Sequence, residues 1–225
     1  MNRTVLIAGA SRGIGLELAV QYAAEGWQVI AGCRNPEAAR RWLAPQVELQ
    51  ALDVTDPASI EHLRGQLEGR AIDLLAVNAG VAGPAPEHFA APGALEFDLV
   101  MHTNVLGPIR LIEAFAPLVE NAQGVIAVLS SRMGSLGETR SADTLTYRCS
   151  KAAVNMVVKT AAAEYGPRGV ITVALHPGWV RTDMGGEHAL VGVSESVEGL
   201  RQVIADLAVD RNGCFFDYTG RPVSW

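Results

Sequence analysis

Tyr147 and Lys151 stand four residues apart in the run Tyr147-Arg148-Cys149-Ser150-Lys151, a spacing that puts both side chains on one face of a helix. An ammonium beside a phenol favours the ionised phenolate and draws its pKa toward neutrality, which a tyrosine needs in order to work as a general acid or base. The pair alone describes equally well a buried phenol beside a lysine whose stem lies along apolar surface. A third group stands upstream. Ser131 follows the apolar run that ends in Val128-Leu129-Ser130, at the strand edge where α/β sheets present ligand-binding groups. A serine hydroxyl there can hydrogen-bond a carbonyl oxygen as that oxygen gains negative charge. Ser130 competes for the same role, but strand alternation turns adjacent side chains to opposite faces, so one of the two reaches a ligand. Cys149 and Ser150 lie between Tyr147 and Lys151 and, on a helix, point elsewhere.

A second constellation opens the chain. Gly9-Ala10-Ser11-Arg12-Gly13-Ile14-Gly15 follows an apolar strand and runs directly into a helical pattern. Glycines let the backbone approach a pyrophosphate, and the free N–H groups of a helix N-terminus attract its charge. The strand–turn–helix setting separates this string from a chance glycine cluster. The end of the second strand, Ala31-Gly32-Cys33-Arg34-Asn35, carries no acid, whereas an NAD site commonly places Asp or Glu there for the ribose hydroxyls. Arg34 is placed to meet a 2′-phosphate, and Arg12 can approach it from the first loop, since guanidinium suits phosphate through bidentate, charge-assisted bonds. The expected cofactor is NADP(H) in preference to NAD(H).

These groups need a frame. Apolar runs at Thr4–Gly9, Trp27–Gly32, Val47–Leu52, Ile72–Asn78, Gly124–Ser130 and Val170–His176 read as buried strands. Helical periodicity falls between them at Ile14–Glu25, Pro36–Trp42, Pro57–Leu67, Leu95–Leu118 and Thr144–Tyr165, with a further helix near Ser194–Leu207 and a short strand at Gly213–Tyr218. Continuous apolar strands alternating with helices predict an α/β fold: a single doubly wound parallel sheet of Rossmann type with helices on both faces. No repeat or linker divides it, so residues 1–225 are expected to form one domain, with a cofactor half to about residue 120 and a catalytic half from about 121. The helix Thr144–Tyr165 is apolar nearly all round, which asks for cover on both sides. A neighbouring helix or a second subunit meets that need equally, leaving a homodimer or homotetramer open.

The formal net charge of −6 over 225 residues argues against nucleic acid or an anionic membrane as partner. The three cysteines, Cys33, Cys149 and Cys214, form neither a disulfide framework nor a zinc motif. His102, His176 and His188 are not at ligand spacing and read as structural, so no metal is expected. The apolar run from Val5 to Ala10 is too short for a signal peptide or a membrane span; the expected compartment is the cytoplasm.

Taken in order along nearly the whole chain, these motifs resemble the short-chain dehydrogenase/reductase family. The turn Gly9–Gly15 is similar to its cofactor loop, with Ala8 where threonine is frequent. Asp53-Val54 resembles the pair that reaches the adenine, and Asn78-Ala79-Gly80, after Val77, resembles the N-A-G beside the cofactor. Asn104 matches the family's structural and proton-relay asparagine. Ser131 is identified as the serine of S-x-x-G, and Tyr147 with Lys151 as the catalytic pair. Pro177-Gly178, with Val180 and Thr182 beyond, resembles the segment flanking the nicotinamide.

The resemblance implies a hydride transfer between nicotinamide and a carbonyl or alcohol. In it Tyr147 moves the proton, Ser131 polarises the carbonyl, Lys151 holds the nicotinamide ribose and lowers the Tyr147 pKa, and Asn104 holds a water linking Lys151 to solvent. The tail Asn212–Gly220, ending in Pro222-Val223-Ser224-Trp225, resembles the C-factor and sniffer-type carbonyl reductases. That branch leaves two functions to weigh: a carbonyl reductase, or a nucleotide-sensing regulatory or signalling protein on the same fold. The segment Arg132–Thr146 is slightly longer than usual and is expected to shape the substrate entrance, while Thr182–Val193 is short for a substrate lid. Met133, Leu136, Trp179 and Met184 are candidates for an apolar substrate wall.

Overall fold

The computed structural model describes residues 3–225. Seven strands, β1 (Thr4–Ala8), β2 (Gln28–Cys33), β3 (Glu48–Ala51), β4 (Leu74–Val77), β5 (Val125–Leu129), β6 (Ile171–His176) and β7 (Phe215–Asp217), form one sheet in the order β3-β2-β1-β4-β5-β6-β7. Every neighbouring pair is parallel. The strands are apolar on both sides because both faces are covered. In β1, Leu6 and Ala8 enter one core while Val5 and Ile7 enter the other, as the two-residue period requires.

The first core is closed by α3 (Pro57–Gln66), α5 (Gly107–Glu120) and α6 (Leu145–Tyr165), the second by α1 (Gly13–Ala24), α2 (Pro36–Arg40) and α7 (Val193–Ala205). Phe115 of α5 is completely buried; a side chain of that size contributes about 1.5–3 kcal/mol through burial. The helix starts are written locally. Asn35 accepts from Ala38 N and Asp56 from Ala58 N, each followed by proline at the first helical position.

The expected helix Leu95–Leu118 is not one α-helix. It runs as α4 (Ala94–Met101), a π-helical turn over His102–Leu106 and then α5. Hydropathy periodicity does not register the one extra residue per turn that a π-turn inserts. The expected Thr144 start of α6 is also corrected: Thr144 is left-handed, at φ 51°, and the helix begins at Leu145. Several strands are shorter than their apolar runs, because the outer residues leave the ladder before their side chains leave the core. Ile72, for example, is buried but lies ahead of β4.

Candidate active site

The order of the sheet reverses between β1 and β4, whose chains continue toward α1 and toward the segment before α4. That reversal opens a crevice beyond the carboxyl ends of the strands. The glycine turn lies at its floor. Gly9 has φ 96°, and a Cβ there would sit 2.8 Å from the Ala79 backbone. A Cβ on Gly15 would run into the Gly9 carbonyl and the Asn78 amide. Asn78 Nδ2 in turn donates to Gly9 O at 2.7 Å, so the ends of β1 and β4 are tied across the crevice. The N-terminus of α1 has no side-chain cap, leaving its first N–H groups for a ligand anion. This glycine-bounded, uncapped helix start fits a dinucleotide pyrophosphate.

Arg34 is exposed at the end of β2 and lies close enough to Asp53 for its charge to lower that carboxyl's pKa, after the larger effect of Thr55. Asp53 Oδ1 accepts from both Thr55 Oγ1 and Thr55 N, at 2.7 and 2.9 Å, and Val54 is buried beside Gly107. Arg12, expected to approach the same phosphate from the first loop, is held here by an ion pair. Its Nη1 pairs with Asp183 Oδ2 at 2.7 Å, bridging from the glycine turn to the loop after β6. The opposite charge comes from a loop 171 residues away in sequence. Thr182 lies against Gly13 in the same junction.

The three chemical groups meet at the ends of β5 and α6. Ser131, just past β5, lies close enough to the Tyr147 phenol to oppose the rise in its pKa, and its Oγ accepts from Met133 N at 3.2 Å. Lys151 is buried, and its Nζ donates to Leu129 O at 2.8 Å and lies 5.6 Å from the centre of the Tyr147 ring. Burial pushes the Tyr147 phenol up to about 12, a rise Ser131 opposes, and pushes Lys151 down to about 8. In place of the expected lowering of the Tyr147 pKa by Lys151, burial raises it, because desolvation disfavours the phenolate. Gly80 stands over the pair, with a Cβ there falling 3.7 Å from Lys151 Nζ and 3.3 Å from Asn104 Oδ1.

Asn104 sits in the π-turn, 1% exposed. Its amide clasps Val81, accepting from N and donating to O, each at 2.8 Å. It also donates to Ser150 Oγ at 3.0 Å, and Ser150 donates to Tyr147 O at 2.8 Å. Ser150, expected to point elsewhere, is joined to Asn104 of the site and to the Tyr147 carbonyl. Its spacing three residues after Tyr147, about one helical turn, is the signal that could have found it.

Pro177 O accepts from Ser196 Oγ at 2.6 Å. Gly178, at φ 89°, passes so close to Tyr218 and Val191 that a Cβ would meet both at 3.1 Å. Val180 is buried and bridges to Val191, so the short loop between them closes on itself. The segment Arg132–Thr146 is tied down by Arg132 to Glu138 and Asp217, and by Gly137 N to Trp225 O. Leu136, Trp179 and Met184 each expose about half or more of their surface. His176 is half-buried, and its Nδ1 has no hydrogen-bond partner among the described residues. No group of three or more His, Cys, Asp or Glu able to hold a metal ion occurs among the described residues.

The family model described as short chain dehydrogenase matches residues 3–190. The chain is 41% identical to C-signal of Myxococcus xanthus over 158 residues, 68% of this chain and 93% of that protein. A carbonyl reductase from Pseudomonas aeruginosa PAO1 solved in complex with NADP superposes with a TM-score of 0.89 at 36% identity, covering all of both chains. Carbonyl reductase Sniffer of D. melanogaster superposes at 0.91 with 28% identity, again over all of both chains.

Proposed function

The chain belongs to the short-chain dehydrogenase family, and within it we propose that this NADP-dependent oxidoreductase is a carbonyl reductase preferring NADP(H) to NAD(H). The observation that carries this reading is the convergence of Ser131, Tyr147 and buried Lys151 at the end of β5 and the start of α6, with Lys151 Nζ 5.6 Å from the Tyr147 ring centre and the phenol pushed up by burial. A protonated phenol is what reduction of a carbonyl calls for. The solved carbonyl reductases described above, one of them with NADP, support the same reading.

When bound, the nicotinamide supplies or accepts the hydride. Ser131 holds the substrate oxygen and polarises it. Tyr147 Oη gives that oxygen a proton in reduction, or takes one from the alcohol in oxidation. Lys151 Nζ, with donors to spare beyond Leu129 O, holds the ribose hydroxyls and favours the phenolate as it forms. Asn104 fixes the strand end after Gly80 and links Lys151 to solvent through a water. For binding, we assign the pyrophosphate to Gly9, Ser11, Gly13, Ile14 and Gly15, and the 2′-phosphate to Arg34 with Arg12 approaching from the first loop. Asp53 and Val54 meet the adenine, Asn78, Ala79 and Gly80 line the crevice, and Pro177, Gly178, Val180 and Thr182 flank the nicotinamide. Residues to about 120 thus serve the cofactor and residues from about 121 the chemistry.

The exposed Leu136, Trp179 and Met184 around the mouth favour an apolar small-molecule carbonyl. A cytoplasmic homodimer or homotetramer remains our reading of the assembly, supported by Met156, which α6 leaves 65% exposed; no described helix is long and apolar enough to cross a membrane. The likeness to C-signal favours a second reading, a nucleotide-sensing signalling protein, but a sensor has no need of the Ser131–Tyr147–Lys151 arrangement.

Titration with NADPH and NADH by nicotinamide fluorescence, repeated on Arg34→Ala, tests the cofactor. NADPH should bind more tightly, by a margin that collapses in the variant. A panel of ketones, aldehydes and quinones with Tyr147→Phe as control tests the chemistry, with a loss on the order of 10²–10⁴-fold expected. Equal binding of both nucleotides sinks the NADP preference; NADPH binding without any reduction brings the sensor reading forward.

A further inference from the structure

Ser131 is held from both sides by one side chain. Ser130 Oγ donates to Asn155 Oδ1 at 2.5 Å, and Asn155 Nδ2 donates to Gly134 O at 3.3 Å. Asn155 lies one helical turn beyond Lys151 on α6, and both it and Ser130 are about 95% buried or more. The segment carrying Ser131 is therefore fastened at residues 130 and 134 to the same helix that carries Tyr147 and Lys151. Gly134 brings the segment down onto that helix, since a Cβ there would lie 2.6 Å from the Lys151 carbonyl carbon.

An asparagine in a helix interior is a poor helix former, and burying its amide among Val154 and Val158 costs free energy unless both ends are bonded. An aliphatic side chain would fill the same space. What it would not do is bond the hydroxyl before Ser131 and the carbonyl three residues after it.

We propose that Asn155, acting through Ser130 and Gly134, is a positioning residue that sets where Ser131 stands relative to Tyr147 and hence the proton transfer at Tyr147. The proposal rests on the reading of Ser131 and Tyr147 as the reacting groups. An error of about 1 Å in such a contact is enough to lower a rate about 10²-fold. It also bears on the titration of Tyr147, because Ser131 opposes the rise that burial causes.

The test uses Asn155→Leu, Ser130→Ala and the double variant of the intact chain, with NADPH and a carbonyl substrate from the panel. Asn155→Leu should lower kcat by about 10- to 100-fold and leave NADPH affinity within about threefold. Its pH profile for the Tyr147-dependent step should move to higher pH. Ser130→Ala should do the same to a smaller extent, and the double variant should be no worse than Asn155→Leu, because both act on one link. A merely structural loss scales the rate at every pH without moving the profile, and that result, or additive single effects, overturns the proposal. Where Asn155→Leu does not fold, Ser130→Ala alone decides, since it removes one oxygen.

Failure of the wild-type protein to reduce any carbonyl would count against the proposed function, not against this inference. The separation between Ser131 Oγ and Tyr147 Oη in crystal structures of the wild type and the variant then decides. Lengthening in the variant supports the positioning role, and an unchanged separation overturns it.

Discussion

Asn104 and Ser150 are joined by a buried 3.0 Å hydrogen bond that ties the π-turn between α4 and α5 to the helix carrying Tyr147. π-turns cluster at functional sites because the extra residue re-aims a side chain that a regular helix would misdirect. Here the re-aimed side chain is Asn104, which binds Val81 after β4 and Ser150 in α6 at once. Three elements thus share one amide.

Replacing Ser150 by alanine should leave the Val81 contacts in place and remove the link to α6. We expect a stability loss of about 1 kcal/mol in urea unfolding and a several-fold fall in kcat with the KM for NADPH unchanged. A fall in NADPH affinity larger than the fall in kcat would contradict the placement of this bond.

Gly134→Ala should be far more damaging than its single methyl suggests. The new Cβ would lie 2.6–2.8 Å from backbone atoms of Lys151 and Ala152, which cannot rotate away. Overpacking of this kind costs about 1–3 kcal/mol and lifts Ser131 off α6. Thermal unfolding and kcat measured together should both fall; an alanine variant with wild-type kcat would remove the close approach from the account.

His176 makes stability depend on pH. Burial, helped by Arg132 and opposed by Asp217 and Glu138, pushes it down to about 4. The unfolded chain, with its imidazole near 6.5, therefore binds more protons than the native state in this range. Native stability is present above pH 6.5 and is lost as pH falls toward 4, by on the order of 3 kcal/mol from this group. His176→Leu should flatten that part of the curve in urea unfolding between pH 4 and 7. An equally steep curve would mean that other groups carry it.

Asp183→Asn tests the pair that captured Arg12. Both side chains are about three-quarters exposed, so the bridge is worth less than about 1 kcal/mol and stability should hardly change. Freed from Asp183, Arg12 becomes available to phosphate. NADPH should bind about two- to tenfold more tightly at low salt, a gain that shrinks as salt is added. Unchanged or weaker binding would show that Arg12 serves the loop rather than the ligand.

Much of this was legible because the relevant signals are local. The buried strands declare themselves as apolar runs, the glycine turn sits where a strand meets a helix, and Tyr147 and Lys151 share a helix face by spacing alone. Ser131 and Ser130 separate by strand alternation, and they do face different partners, Tyr147 and Asn155. What the residue order does not display is contact between distant segments. The Arg12–Asp183 bridge spans 171 positions and the Asn104–Ser150 bond 46. The π-turn hides inside a continuous apolar period, and the rise of the Tyr147 pKa comes from burial that only assembled helices create.

The place of β1 in the sheet has a consequence for the chain as it is made. β1 pairs with β2, beginning with Thr4 against Gln28, and on its other edge with β4, beginning with Val5 against Leu74. A ribosome adding about 5–20 residues per second therefore releases β1 and β2 several seconds before β4 exists outside the exit tunnel. Throughout that interval the nascent chain carries Val5–Ala8 as an unpaired apolar edge, the kind of template that recruits other chains. That edge exposes newborn molecules to clumping, and slowing translation upstream of Leu74 should lower the soluble yield without altering the finished enzyme.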